Sequence, residues 1–156
     1  MPDINEVTVA PGYKTHLGIN PLYLAYIVTL NGYNINEISE EFSYCFIAAE
    51  DDTNIIHLAG LFPNATFSLV LPDHNSVEKI SSIAAAANLS NISFHKLETK
   101  LLRSQNFNGF DFIVVNENLS YMNREALDLT ISIFEKLLNP GGIVHVKYDC
   151  LPGCAP

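Results

Sequence analysis

Three consecutive acids, Glu50, Asp51 and Asp52, follow an apolar run and stand immediately before a helix-like segment. A strand, a tight turn and a helix in this order begin many nucleotide-binding sheets, but the turn usually carries glycine. Three carboxylates could bind a cation or the amine of a ligand. They could also accept hydrogen bonds from the free amides of a helix N-terminus and interact favourably with its dipole, and we favour this second interpretation.

The other residues that could do chemistry form no recognised catalytic or metal-binding pattern. His145, Cys150 and Cys154 have a His-x4-Cys-x3-Cys spacing, which matches no standard zinc site. The sequence contains no recognisable Ser-His-Asp, Cys-His or His-Glu-x-x-His arrangement. We therefore assign no catalytic residue and no metal site, and we expect Cys45, inside an apolar run, to be a buried thiol.

Alternating apolar and helix-like segments predict the elements that would position these residues. The predicted strands are 43–49, 65–71, 91–97, 110–116 and 142–148. The predicted helices are 21–31, 53–62, 76–88 and 123–138, and the polar residues 98–109 are expected to form a short crossover or loop. This alternation predicts an α/β, Rossmann-like three-layer sandwich with a mostly parallel sheet of about five strands. Ligands of such sheets bind beyond the carboxyl ends of the strands.

Local signals predict where several helices begin, end and face. Pro21 suits the first turn of a helix, and Gly32 suits the position just past its end. Asn75 and Glu78 resemble a capping box, and the sequence NPGG at 139–142 is expected to end the last helix and turn the chain into the final strand. The apolar stripe of that last helix is Leu127, Ile131, Phe134 and Leu138.

Composition restricts the class of protein and of partner. The chain of 156 residues is 48% hydrophobic, which favours one globular domain. Its net charge of −9 argues against nucleic acid and against anionic membranes as partners. There is no secretory signal pattern and no apolar run of about 18 residues, and three cysteines suit a reducing compartment. We therefore expect a cytoplasmic protein.

Several segments, taken in order, resemble the class I S-adenosylmethionine-dependent methyltransferases. More narrowly, they are similar to the bacterial group whose catalytic domain precedes a methyltransferase regulatory domain. PGYKTHLGINPLYLAYIVTLNGY resembles the entry segment of that group, and NIIHLAGLFPNATF resembles its first helix and the approach to the second strand. FDFIVVNENLSYMNREAL resembles the fourth strand and following loop, and LLNPGGIVHVKYDCLPG resembles the Pro-Gly-Gly turn and fifth strand. We expect a single methyltransferase-like domain over 1–156, with an N-terminal arm at 1–19, an entry helix at 20–32 and an α/β core at 43–149.

The resemblance also implies where S-adenosylmethionine would bind, and the residues there depart from the family pattern. When Asn54 is aligned with the Asn that begins the family's first helix, Phe46 occupies the position of the acid that ends the family's first strand. The family's glycine positions fall on Ala48, Glu50 and Asp52. Glycine lets a ligand approach the backbone closely, whereas Glu50 and Asp52 place side chains in the space for the methionine and ribose portions.

The second and fourth strands show the same kind of departure. Leu71 occupies the position of the acid that binds the ribose hydroxyls in the family. Asp73, two residues later, would replace that acid only if the loop bends differently. Asn116 and Glu117 stand where the family has a His-Gly-like pair. The positions implied for cofactor contact are therefore Ala48, Glu50, Asp52, Asn54, Asp73 and Asn116.

Three functions are compatible with these residues. The first is a degenerate methyltransferase-like domain that binds no cofactor, is catalytically inactive and acts through a protein partner or self-association. The second is an active methyltransferase with an atypical pocket, and the third is a sensor of a nucleoside-type ligand. The family usually continues past the fifth strand with a helix and two more strands, so the early end of this chain would leave 142–148 at an unpaired sheet edge. We expect a partner or a second copy to bind that edge.

Overall fold

A computed structural model describes residues 17–33, 41–48, 52–98, 109–119 and 122–147. A 3-10 helix at Leu17–Ile19 precedes α1 (Pro21–Leu30), β1 (Ser43–Ile47), α2 (Asn54–Leu61), β2 (Thr66–Leu71), α3 (His74–Ala86), β3 (Ile92–Lys96), β4 (Phe110–Asn118), α4 (Arg124–Leu137) and β5 (Leu138–Lys147). Each predicted strand and helix is therefore present. The arm up to residue 16 and most of the predicted loop, 99–108, lie outside the described residues.

The described strands form one parallel sheet in the order β3-β2-β1-β4-β5. The chain runs outward from β1 to β3 on one side and from β4 to β5 on the other, so the strand order reverses between β1 and β4. At this reversal Ile47 of β1 lies opposite Val115 of β4. The predicted Rossmann-like fold class is confirmed, and the reversal marks the edge of the sheet where ligands of such folds bind.

Helices cover both faces of the sheet, because β1 buries alternate side chains in two separate clusters. Tyr44 and Phe46 belong to the cluster on one face, and Cys45 and Ile47 to the cluster on the other. The first cluster includes Leu24 of α1, Ile55 of α2 and Ile80 of α3. The second includes Ile133 and Leu137 of α4. Burial on both faces is what a central parallel strand requires.

The 3-10 helix that precedes α1 is attached to the sheet by a buried hydrogen bond. The hydroxyl of Tyr44 donates to the carbonyl oxygen of Ile19 at 2.5 Å. Next to it, a Cβ added at Gly18 would lie 3.8 Å from Nε2 of His145 on β5. As predicted, Pro21 occupies the first turn of α1, and Gly32 follows its end with a φ of +83°. The entry segment therefore packs across β1 and beside β5.

Two local predictions are wrong. The side chain of Asp73 accepts a hydrogen bond from the backbone N–H of Ser76, so α3 begins at His74 and the capping box of Asn75 and Glu78 does not form. The segment 139–142 is not a turn before the last strand, because β5 already begins at Leu138. A register shift in the pairing of β4 with β5 accommodates this segment within the strand.

The face of α4 also differs from the predicted stripe. Its buried residues are Thr130, Ile133 and Leu137, whereas Ile131 is 42% exposed. Leu127 and Phe134 are half-buried at the margin of the contact. In the described part of the chain, none of the helices has the length and hydropathy that crossing a bilayer requires.

Candidate functional site

The candidate site lies at the reversal of strand order, beyond the ends of β1 and β4. Ala48 follows β1 directly, is 2% exposed and donates its backbone N–H to the carbonyl oxygen of Val70 at 3.1 Å. Glu50 and Asp51 lie outside the described residues, so the geometry of the predicted acidic turn rests on Asp52.

Asp52 is the centre of a hydrogen-bond network that joins the two halves of the sheet. Its Oδ1 accepts from the backbone N–H of Asn54 at 3.0 Å and from Nδ2 of Asn54 at 2.8 Å. Its Oδ2 accepts from Nδ2 of Asn116, at the end of β4, at 2.5 Å. The structure therefore brings together three of the predicted positions, and the carboxylate of Asp52 bridges the β1–α2 turn to β4.

Part of this network has the local role that the sequence favours for the acids. Asn54 is the first residue of α2, and its backbone N–H is one of those that a helix leaves without an internal partner. Asp52 accepts from that amide, while Thr53, the residue before the helix, makes no side-chain capping bond. The contact with Asn116 is additional, and no local sequence rule indicates it.

Asp73 lies apart from this network, at the end of β2. Its Oδ1 accepts from the backbone N–H of Ser76 at 3.0 Å, and its Oδ2 accepts from the hydroxyl of Ser76 at 2.9 Å. Both carboxylate oxygens are thus turned towards the N-terminus of α3, where a capping carboxylate stabilises a helix. In this arrangement Asp73 has the role of a helix cap.

The positions where the resemblance expects acids are apolar and inaccessible to water. Phe46 and Leu71 are both 0% exposed and belong to the same core cluster. Neither side chain can accept a hydrogen bond from an ammonium group or a ribose hydroxyl. A carboxylate contact to a ligand near either position would therefore have to come from another residue.

The titratable groups under the site are held in their neutral forms. Burial raises the pKa of Tyr44 well above its usual value, and the nearby Cys45 and Asp52 raise it further. Burial alone raises the pKa of the Cys45 thiol to about 12, which confirms the predicted buried thiol. Within the described ranges, no three His, Cys, Asp or Glu side chains come together in a way that could hold a metal ion. Cys150 and Cys154 lie outside those ranges.

Sequence reasoning identified Asp52 and Asn116 separately but missed that they bind each other. The signal that could have found the pair is the strand order, because the first and fourth strands of this fold are neighbours, Asp52 follows the carboxyl end of β1 and Asn116 lies near the carboxyl end of β4. Two polar side chains placed there meet across the reversal point. The partner of each is therefore decided by topology.

Comparisons with known proteins agree with the architecture. No family model matches the sequence. The structure of PKMT2 from Rickettsia typhi superimposes with a TM-score of 0.76 at 27% identity, over 88% of this chain and 26% of that one. The same protein in complex with AdoHcy gives a TM-score of 0.75 at 26% identity, over the same shares of the two chains. A putative S-adenosyl-L-methionine-dependent methyltransferase from Methanococcus maripaludis shares the fold, with a TM-score of 0.53 at 13% identity over 86% of this chain and 57% of that one.

Sequence relatives extend well beyond this chain. An uncharacterized protein of Rickettsia prowazekii is 28% identical over 134 residues, which are 86% of this chain and 24% of the relative. An uncharacterized protein of Synechocystis is 25% identical over 150 residues, which are 96% of this chain and 29% of the relative. A second uncharacterized protein of Rickettsia prowazekii is 27% identical over 149 residues, 96% of this chain and 58% of the relative. The chain thus spans only part of the length of the curated relatives it matches.

Proposed function

We propose that this chain, which has the class I methyltransferase fold, is a non-catalytic domain that does not use S-adenosylmethionine and acts by binding a protein. The observation that carries the proposal is the hydrogen bond between Asp52 and Asn116. This bond links the segment just before α2 to β4, beside the reversal of strand order where folds of this kind bind nucleotides.

Steric exclusion at the turn is the first support. The resemblance places Asp52 at a position where the family has glycine, whose bare backbone lets the ligand approach closely. Here a carboxylate occupies that position and is fixed by three donors from two residues. A nucleotide would have to displace the side chain and leave a half-buried carboxylate and the Asn116 amide without their partners.

The missing acids are the second support. A hydrogen bond between a ligand and a carboxylate contributes about 1.5–3 kcal/mol, so the loss of two would weaken micromolar binding roughly 10²- to 10⁴-fold. Leu71 and Phe46 cannot supply these contacts, and Asp73 would first have to release Ser76. The side chains present therefore do not fit S-adenosylmethionine as the family binds it.

A second candidate function is an active methyltransferase with an atypical pocket. The similarity to PKMT2 favours it, because that protein is seen in complex with AdoHcy and superimposes on 88% of this chain. In this alternative, Asp73 turns from Ser76 to hold the ribose, and residues 50–54 rearrange to admit the methionine portion. The two candidates differ in whether the Asp52 network opens in the presence of the cofactor.

The edge strand β5 is one proposed contact for the protein partner. It is the last strand in the sheet order, and within the described ranges only β4 pairs with it. An open strand edge offers backbone donors and acceptors to another chain. The exposed Lys147 at its end disfavours unspecific pairing along this edge.

Ligand titration tests the proposal directly. The purified chain is titrated with S-adenosylmethionine, S-adenosylhomocysteine and adenosine, each to about 1 mM, by calorimetry and by thermal shift. PKMT2 from Rickettsia typhi with S-adenosylhomocysteine serves as the positive control. We expect no heat and no shift, together with a cooperative melting curve that shows the chain to be folded.

Two results would contradict the proposal. A dissociation constant in the micromolar range for S-adenosylmethionine or S-adenosylhomocysteine would establish the atypical pocket instead. A response to adenosine but to neither of those ligands would indicate a nucleoside sensor.

A further inference from the structure

The first helix exposes an apolar face that nothing in the described part of the chain covers. Nine large hydrophobic side chains are exposed in the described ranges, and six of them fall within residues 22–33. They are Leu22 (54% exposed), Tyr23 (41%), Tyr26 (58%), Ile27 (38%), Leu30 (64%) and Tyr33 (69%). The other three are single residues on α2, α3 and α4, as is ordinary for a surface.

The exposed residues of α1 form one continuous face. At about 100° per residue, Leu22, Tyr26 and Leu30 lie within roughly 80° of one another around the helix axis, and Tyr23 and Ile27 adjoin them. The buried residues Pro21, Leu24 and Ala25 lie on the opposite side, against the sheet. We call Leu22, Tyr23, Tyr26, Ile27 and Leu30 the α1 face, and Tyr33 follows the end of the helix. Because this face points away from the core-facing side of the helix, the packing of α1 against the sheet does not bury it.

The size of the α1 face is compatible with an interface. Large side chains bury roughly 150–250 Å² each, so the exposed fractions of the five residues correspond to about 500 Å² of mostly apolar surface. That is within the range of the largest patch on a typical monomer, and it is more than half of the roughly 800 Å² per partner of a standard stable complex. Two of the five residues are tyrosines, which are enriched in interface cores.

The chemistry of the α1 face favours an identical partner. The segment PLYLAYIVTL contains no charged residue, so two copies can meet there without bringing like charges together. A two-fold contact requires only that one patch complements itself, and an uncharged helical face of tyrosines and aliphatic residues does so. The net charge of −9 argues against an anionic membrane as the occupant.

The start of the entry segment lies against the last strand. Gly18, just before α1, lies beside His145 of β5, and Ile143 of β5 packs against the core cluster that contains Ile19. The entry segment is therefore held against the sheet by contacts that do not involve the α1 face.

We infer that the α1 face binds the α1 face of a second copy of this chain. This inference deepens the proposed function, because it names the protein that the domain binds. It does not depend on whether the cofactor crevice is closed.

A matched pair of substitutions tests the inference. Leu30 and Leu61 are the last residues of α1 and α2 and are 64% and 68% exposed. We expect sedimentation velocity from about 1 to about 100 µM to show a concentration-dependent dimer. Leu30→Arg should weaken the dimer by at least about tenfold, because it buries an unpaired charge in each copy, whereas Leu61→Arg should leave it unchanged. Raising the ionic strength from about 0.05 M to about 0.5 M should strengthen the dimer by screening the net charge.

The outcomes separate the possible occupants. A wild-type chain that stays monomeric at about 100 µM, or one that sediments with zwitterionic lipid vesicles as a monomer, overturns the inference. Equal weakening by both arginine substitutions overturns the assignment to α1. Circular dichroism verifies folding, and Tyr26→Ser, which adds no charge, repeats the test independently. A monomer that binds no cofactor leaves the proposed function in place with another partner, whereas cofactor binding overturns that function whatever the state of association.

Discussion

The bridge between Asp52 and Asn116 can be measured as a coupling energy. Asp52→Ala removes an acceptor of three hydrogen bonds, and Asn116→Ala removes one donor. A hydrogen bond to a charged group contributes about 1.5–3 kcal/mol to stability, and partial exposure reduces this, so we expect a coupling of about 1–2 kcal/mol. The double variant should therefore be about 1–2 kcal/mol more stable than the sum of the single effects predicts.

Chemical denaturation provides the assay. The chain has no tryptophan, so far-UV circular dichroism follows unfolding in urea, and linear extrapolation gives the free energy of each variant. Asn123 supplies the control, since it caps α4 through the backbone N–H of Ala126 at 2.9 Å and does not contact Asp52. Asn123→Ala and Asp52→Ala should add within about 0.5 kcal/mol. A coupling between Asp52 and Asn116 as small as in this control pair would refute the bridge and remove the main support for the proposed function.

Three further predictions concern groups away from the bridge. Tyr44→Phe should destabilise the chain by about 1–2 kcal/mol in urea, because it leaves the Ile19 carbonyl buried without its donor, whereas Tyr33→Phe on the exposed surface should change stability by less than about 0.5 kcal/mol. Cys45 should resist iodoacetamide at pH 8 in the folded chain and react after denaturation, as peptide mass mapping would show; labelling without unfolding contradicts its burial. Burial lowers the pKa of His145, so the unfolded chain binds the proton more readily than the folded chain does. The free energy of unfolding should therefore fall as the pH drops below about 6.5. His145→Gln should flatten this dependence in denaturation measured at several pH values, and an unchanged slope would refute the reasoning.

The elements could be predicted because their signals are local. Continuous apolar runs identified the strands, and Pro21 and Gly32 marked the ends of the first helix from their own backbone preferences. Where two local signals competed, the prediction was wrong. Asp73 and Asn75 are both good helix caps, and the structure uses Asp73 because the chain leaves β2 in an orientation that turns its carboxylate to Ser76.

The face of a helix is less local than its existence. The stripe predicted for α4 includes Ile131, which is 42% exposed, while Thr130 is fully buried. The two residues are adjacent in the chain, and hydropathy alone favours the wrong one. Which of them faces the core depends on how the helix is rotated against β4 and β5, and that rotation results from packing with residues distant in the chain.

The sequence alone determined that this is an α/β protein with an acidic turn in place of a glycine-rich one, because apolar periodicity and backbone preference act over a few residues. Only the tertiary structure decided what the acid does. Asp52 and Asn116 are 64 positions apart, and they meet because parallel pairing places β4 beside β1 with their carboxyl ends at the same edge. A hydrogen bond needs its two atoms within about 3 Å, and at that separation along the chain only the order of the strands can bring them together.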